Sequence, residues 1–128
     1  MKNYIIVFIV LILISGCSQT TSKESKQFIE IIGDISVSKI EVIDGRTGKR
    51  HNITENEKIE QLYQLLNERE YKEMKNHEKI KGYIYSAVLY SGNKEFNITF
   101  LGDEIDINST YYVLNNPILE EDIFKILD

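Results

Sequence analysis

The sequence predicts an α+β fold: a single antiparallel sheet with two helices packed on one of its faces. Three features carry that expectation. Segments of alternating apolar and polar residues recur along the chain, as half-buried strands require. Two stretches instead repeat their apolar residues every three or four positions, the period of an amphipathic helix. Short separators containing Gly, Asn or Asp join the late strand segments, which suits antiparallel neighbours rather than parallel strands with long crossovers.

Taken in order, a strand is expected near Ile35 to Ile43, preceded by a short apolar piece from Phe28 to which no state is assigned. "DGRTGK" places Gly45 and Gly48 at a reversal and "KRHNIT" returns, which reads as a β-hairpin. In "TENEKIEQLYQLLNE", Thr54 and Glu57 have capping-box spacing, and Ile59, Leu62, Tyr63 and Leu66 define one buried helical face. Tyr71 to Met74 reads as a short edge strand, with "KNHEKIKG" as the exposed connection after it. "GYIYSAVLY", "KEFNITFLG" and "EIDINSTYYVL" follow as three strands of a meander, separated by "SGN" and "GD". Asn116 and Pro117 then open a terminal helix with Leu119, Ile123, Ile126 and Leu127 on one side. The expected order is β-β-α-β-β-β-α, with an extra strand near Tyr71.

The first residues belong to a different logic. "MKNYIIVFIVLILISGC" places Lys2 ahead of an apolar run from Tyr4 to Ile14, then small residues, then Cys17, which is the order of an export signal. The run is short for a bilayer core about 30 Å thick, which takes roughly 20 helical residues to cross. Ile14, Ser15, Gly16 and Cys17 resemble a bacterial lipobox. The resemblance implies a diacylglyceryl group on the Cys17 thiol, cleavage just before that residue, and a second acylation on the new amine. Two or more acyl chains give stable anchoring where one binds only marginally. The expected organisation is therefore a signal peptide over 1–16, a lipidated cysteine with a flexible tether over 17–27, and a globular domain over 28–128. "SQTTSKESKQ" holds no apolar side chain to bury, and its ten residues reach at most about 35 Å.

Charge narrows the partners. Removing residues 1–16 takes away Lys2 and no acid, leaving 14 basic against 20 acidic side chains, a formal −6. Nucleic-acid affinity comes mainly from Lys and Arg neutralising phosphates, so a nucleic-acid partner is not expected. Anionic headgroups should repel the body mildly, which leaves anchoring to the lipid. Cys17 is the only cysteine, so no disulfide is expected and about 100 residues must form one core.

Several residue groups invite a functional reading. Tyr83 and Tyr85 share one strand face and Tyr90 lies on the other, and such rings grip partners as readily as they fill half-buried sheet positions. Phe96 and Phe100 pair similarly, while Tyr111 and Tyr112 split between faces. Asp103, Glu104 and Asp106 offer oxygen ligands but lack the glycine and distal glutamate of a calcium loop, so no metal site is assigned. His51 and His77 are far apart, no Ser lies in a nucleophile elbow, and the one Cys is committed to lipid, so no catalytic residue and no cofactor are assigned. Glu120 and Glu121 suit a helix N-terminus. Asn-x-Ser/Thr triplets at Asn52, Asn97 and Asn108 carry no weight in a bacterial chain.

The segment from "IEVIDGRTGKRHNITENEKIEQLYQLL" through "GYIYSAVLY" resembles the small uncharacterised lipoproteins of Gram-positive bacteria, and the wealth of Ile, Lys and Asn fits an AT-rich genome. The expectation is a non-enzymatic lipoprotein on the outer face of the cytoplasmic membrane that binds an envelope protein or peptide through a sheet face or edge, with Tyr83, Tyr85 and Tyr90 as the candidate face. Two rivals are an immunity lipoprotein that sequesters a cationic antimicrobial peptide, and an enzyme or metal-dependent sensor.

Overall fold

A computed structural model describes residues 24–75 and 82–128. In chain order the elements are β1 (Lys26–Gln27), α1 (Phe28–Ile32), β2 (Lys39–Asp44), β3 (Arg50–Ile53), α2 (Asn56–Asn67), β4 (Glu70–Glu73), β5 (Tyr85–Ser91), β6 (Lys94–Phe100), β7 (Glu104–Ile107), β8 (Thr110–Leu114) and α3 (Glu120–Leu127). All pairings are antiparallel, and the eight strands form one open sheet in the order β1-β4-β8-β7-β6-β5-β2-β3. The fold is α+β.

Strands β5 to β8 form a meander, the β2–β3 hairpin adds to β5, and β4 adds to β8. Helix α2 thus carries the chain from one edge of the sheet to the far side. Alternation along the strands sends Ile40, Val42, Tyr85, Ala87, Leu89, Phe96, Ile98, Phe100, Ile105, Ile107, Tyr112 and Leu114 to one face. Ile59, Leu62 and Leu66 of α2, Ile123 and Ile126 of α3, and Phe28 and Ile32 of α1 complete the same core. Each of the large apolar side chains among them contributes about 1.5–3 kcal/mol by leaving water, most of it offset by chain entropy. Phe28, Tyr63, Tyr71 and Tyr112 meet edge-on or tilted at 5.7–6.0 Å between ring centroids. The Tyr71 hydroxyl donates to the Leu66 carbonyl at 2.5 Å, and burial pushes its pKa well above the usual phenol value.

Several expected boundaries are corrected. "EIDINSTYYVL" is two strands, because Asn108 and Ser109 take φ of 50° and 70° and close a two-residue hairpin between Ile107 and Thr110. Positive φ at both turn positions is what a type I′ turn requires, and Asn-Ser is a weaker signal for it than Asn-Gly. Thr54 and Glu57 form no capping box: α2 starts at Asn56 after Glu55, with no side-chain cap, because burial of Ile59, Leu62 and Leu66 sets its phase. The first long strand is Lys39–Asp44, while Ile35 and Val37 pack on the core without pairing as a strand. The terminal helix starts at Glu120, and Asn116 and Pro117 belong to its entry loop. Strand β4 is not an edge, since Lys26 and Gln27, expected in the tether, pair with Tyr71 and Glu70. The short apolar piece after them is α1. The connection centred on His77 lies largely outside the described residues, as do Ile14, Ser15, Gly16 and Cys17.

Candidate functional site

The sequence "DGRTGK" builds one corner of the molecule. Asp44 ends β2, and its Oδ1 turns back to accept the backbone N–H of Arg46 at 2.8 Å and of Thr47 at 3.4 Å. This is the Asx-type turn that aspartate forms with its own following backbone. Gly45 donates its N–H to the Ile84 carbonyl at 2.9 Å, and a Cβ there would stand 2.0 Å from the Tyr83 carbonyl oxygen. Only glycine lets the loop lie against residues 83 and 84. The Arg46 guanidinium pairs with Asp44 at 3.2 Å and with Glu120 in the first turn of α3. Hydrogen bonds from Arg46, backbone first and guanidinium second, hold the Asp44 carboxyl below its ordinary pKa. Asp44 raises the Arg46 pKa in turn, so the link between loop and helix stays charged on both sides.

Between that loop and α3 lies a hollow of about 740 Å³ lined by Arg46, Ile84, Leu119, Glu120, Glu121 and Phe124. Phe124 also borders a smaller hollow of about 190 Å³, whose walls include Asp44, His51, Tyr85 and Leu127. The phenyl ring is therefore a ridge between two depressions. Phe124 is 55% exposed, Leu119 49% and Tyr83 41%, the highest values among the exposed large apolar side chains of the described residues. Their exposure has a local cause. Burial of Ile123 and Ile126 fixes the rotation of α3, and a step of one residue turns Phe124 about 100° away from that face. Leu119 sits at the N-cap, where its N–H donates to Asp122 at 2.9 Å, so it leaves the apolar side that the helical spacing assigned to it.

The expected tyrosine face divides. Tyr85 is 1% exposed and points into the core, where burial raises its pKa, so it cannot form part of an open surface. Tyr83 precedes β5 and stands at the corner just described. Tyr90 lies on the side of the sheet away from the core, and its hydroxyl donates to Glu41 at 3.0 Å. Lys39 reaches Glu41 at 2.7 Å and lies 5.1 Å from the Tyr90 ring centroid. That bond from Lys39, then the one from Tyr90, lowers the Glu41 pKa, while the bond to Glu41 raises that of Tyr90. Beside them stand Val88 and Asn52, opposite Glu41 on either side, and Glu95, opposite Tyr90, so the ring sits in a mixed field in which polar groups outnumber apolar ones. On the same face the Oδ1 of Asp106 is buried with no hydrogen-bond partner among the described residues.

Glu104 and Asp106 share that face, but Asp103 sits in the turn before β7, and no three His, Cys, Asp or Glu side chains converge among the described residues. His51 is on the edge strand β3 and His77 lies outside the described residues. Sequence reasoning alone missed Arg46, Leu119 and Phe124. One signal was present: Phe124 is an aromatic residue off the Ile123–Ile126–Leu127 stripe of its own helix. No described helix is long and apolar enough to cross a membrane. No protein-family model matches the chain, and neither curated proteins nor solved structures give a significant match.

Proposed function

We propose that this chain is a lipid-anchored, non-enzymatic binding module on the outer face of the cytoplasmic membrane, which holds a protein or peptide of the cell envelope at the corner between the β2–β3 loop and α3. The observation that carries this reading is that Phe124 and Leu119, the two most exposed large apolar side chains among the described residues, line one hollow together with Ile84. Scattered surface apolar residues need no explanation, but a contiguous set beside a hollow marks an interaction surface.

The anchor rests on the order of segments before Cys17, and the architecture suits it. The described chain enters through β1 at one edge of the sheet, and the β2–β3 hairpin is at the other. Seven strand spacings of about 4.8 Å separate them by roughly 30 Å. A partner seated at the corner therefore does not compete with the side from which the tether leads.

A photo-crosslinking residue at position 124 in living cells should give a discrete adduct, while the same residue at exposed position 97 on the far face should not. Equal labelling at both positions, or none at 124, would remove the corner from consideration. For the anchor, Cys17→Ser should move the protein from the detergent phase to the aqueous phase, and mass spectrometry should find acyl chains on the wild-type residue.

A further inference from the structure

Resting on the binding role above, we propose that the occupant of the corner is a cationic, amphipathic helical peptide, held with its apolar stripe astride Phe124 and its basic side chains on the acidic rim. The shape comes first. Phe124 is a ridge with a hollow on each side, and on a helix the side chains at i and i+4 stand about 6 Å apart, enough to straddle one phenyl ring. Ile84 and Leu119 give the larger hollow its apolar floor. A helix pressed into an apolar groove by anchors spaced three and four apart is a common recognition mode.

Charge sets the sign of the partner. Among the described residues Arg46 is the one cation lining the larger hollow, and it is already engaged by both Asp44 and Glu120. Glu121 lines the same hollow and has no ion-pair partner among the described residues, and the smaller hollow sets Lys49 against Asp44 and Asp128, so carboxylates outnumber cations along the two hollows. An anionic peptide would meet Glu120 and Glu121 as like charges, and a neutral apolar one would leave Glu121 desolvated and unpaired. The formal −6 of the chain from Cys17 onward adds long-range attraction for cations at low ionic strength. Cationic amphipathic helices seek bilayer surfaces, where the Cys17 anchor would hold this protein, so capture at the corner would intercept them before insertion.

The test uses the full processed chain in phosphatidylcholine nanodiscs, with empty nanodiscs as the blank. The probe is a fluorescent Leu/Lys peptide of helical period, roughly 18 residues long so that it can form a helix, with a Leu/Glu twin as its counterpart. Fluorescence anisotropy should show protein-dependent binding of the Leu/Lys peptide that weakens with salt, and none of the twin. Phe124→Ser should weaken binding about tenfold, and Glu121→Lys about threefold. Both changes are at exposed positions, and an unaltered thermal transition confirms the fold. Binding that survives Phe124→Ser, equal binding of the twin, or no protein-dependent binding overturns the proposal. Absence of Leu/Lys binding together with a specific cellular adduct at position 124 overturns the peptide class alone, whereas absence of both removes the binding role as well.

Discussion

Replacing Arg69 by methionine removes a side chain that ties the end of α2 to the entry loop of α3. Arg69 is 7% exposed, and its guanidinium donates to the Leu65 carbonyl at 3.0 Å, to that of Pro117 at 3.2 Å and to that of Asn116 at 3.4 Å. The Leu65 carbonyl is among the last four of its helix, which have no partner within it, and a cation there also meets the negative end of the macrodipole. A hydrogen bond from a charged donor contributes about 1.5–3 kcal/mol. The three do not sum, because Asn116 and Pro117 are exposed enough for water to replace the donor, so the expected loss is about 2–3 kcal/mol. Glu68, 3.8 Å from Arg69 and mostly exposed, adds little, and Glu68→Ala should cost less than about 0.5 kcal/mol. Lysine keeps the charge but not the planar fork that spans two segments, so Arg69→Lys should restore no more than about 1 kcal/mol. Urea unfolding of the detergent-solubilised chain, followed by circular dichroism, reads these differences directly; at a slope near 1 kcal/mol per molar the midpoint for methionine should fall by about 2–3 M. A methionine variant within about 0.5 kcal/mol of wild type, or a lysine variant equal to arginine, would refute the reasoning.

Gly45→Ala should lower stability by about 1–3 kcal/mol, since the new methyl meets the Tyr83 backbone and no side chain can turn away to admit it; a wild-type melting temperature would contradict this. Ser109→Gly should raise stability by about 0.5–1 kcal/mol by relieving the left-handed backbone of the β7–β8 turn, and an unchanged or lower denaturation midpoint would count against it. Asp44 has a folded pKa below its unfolded one, so its contribution is present above the unfolded value near 4 and is lost as pH falls through the lower folded value. Asp44→Asn should therefore destabilise the protein at neutral pH, and the gap from wild type should narrow on acidification. A gap that stays constant with pH would show that the charge is not what matters at that turn.

Elements with a strong local pattern are legible in the amino-acid sequence. Ile59, Leu62 and Leu66 announce α2 because a three-to-four spacing has no other good use, and Gly48 and Gly92 mark reversals because their positive φ is a local demand. What fails is local chemistry overruled from a distance. Thr54 has the right spacing for a cap, yet packing of α2 on the sheet sets the helix start one residue later. Asn108 and Ser109 lack the glycine that normally betrays a hairpin, and pairing of β8 with both β7 and β4 pulls them into it. The tyrosines show the same limit. Alternation says which of them share a side, but not which side the helices cover, and so it places Tyr85 on a candidate open face when it is core.

The α+β class, the net acidity and the lack of a second cysteine for a disulfide were readable from the amino-acid sequence, because periodicity and composition act over a few residues or none. The tertiary structure alone decided that the β2–β3 loop and α3, more than 70 positions apart at Arg46 and Glu120, close on each other around Phe124. No local pattern encodes that meeting. It follows from which face of the sheet the helices bury and where the chain crosses from edge to edge, and both are settled only when the whole core packs at once.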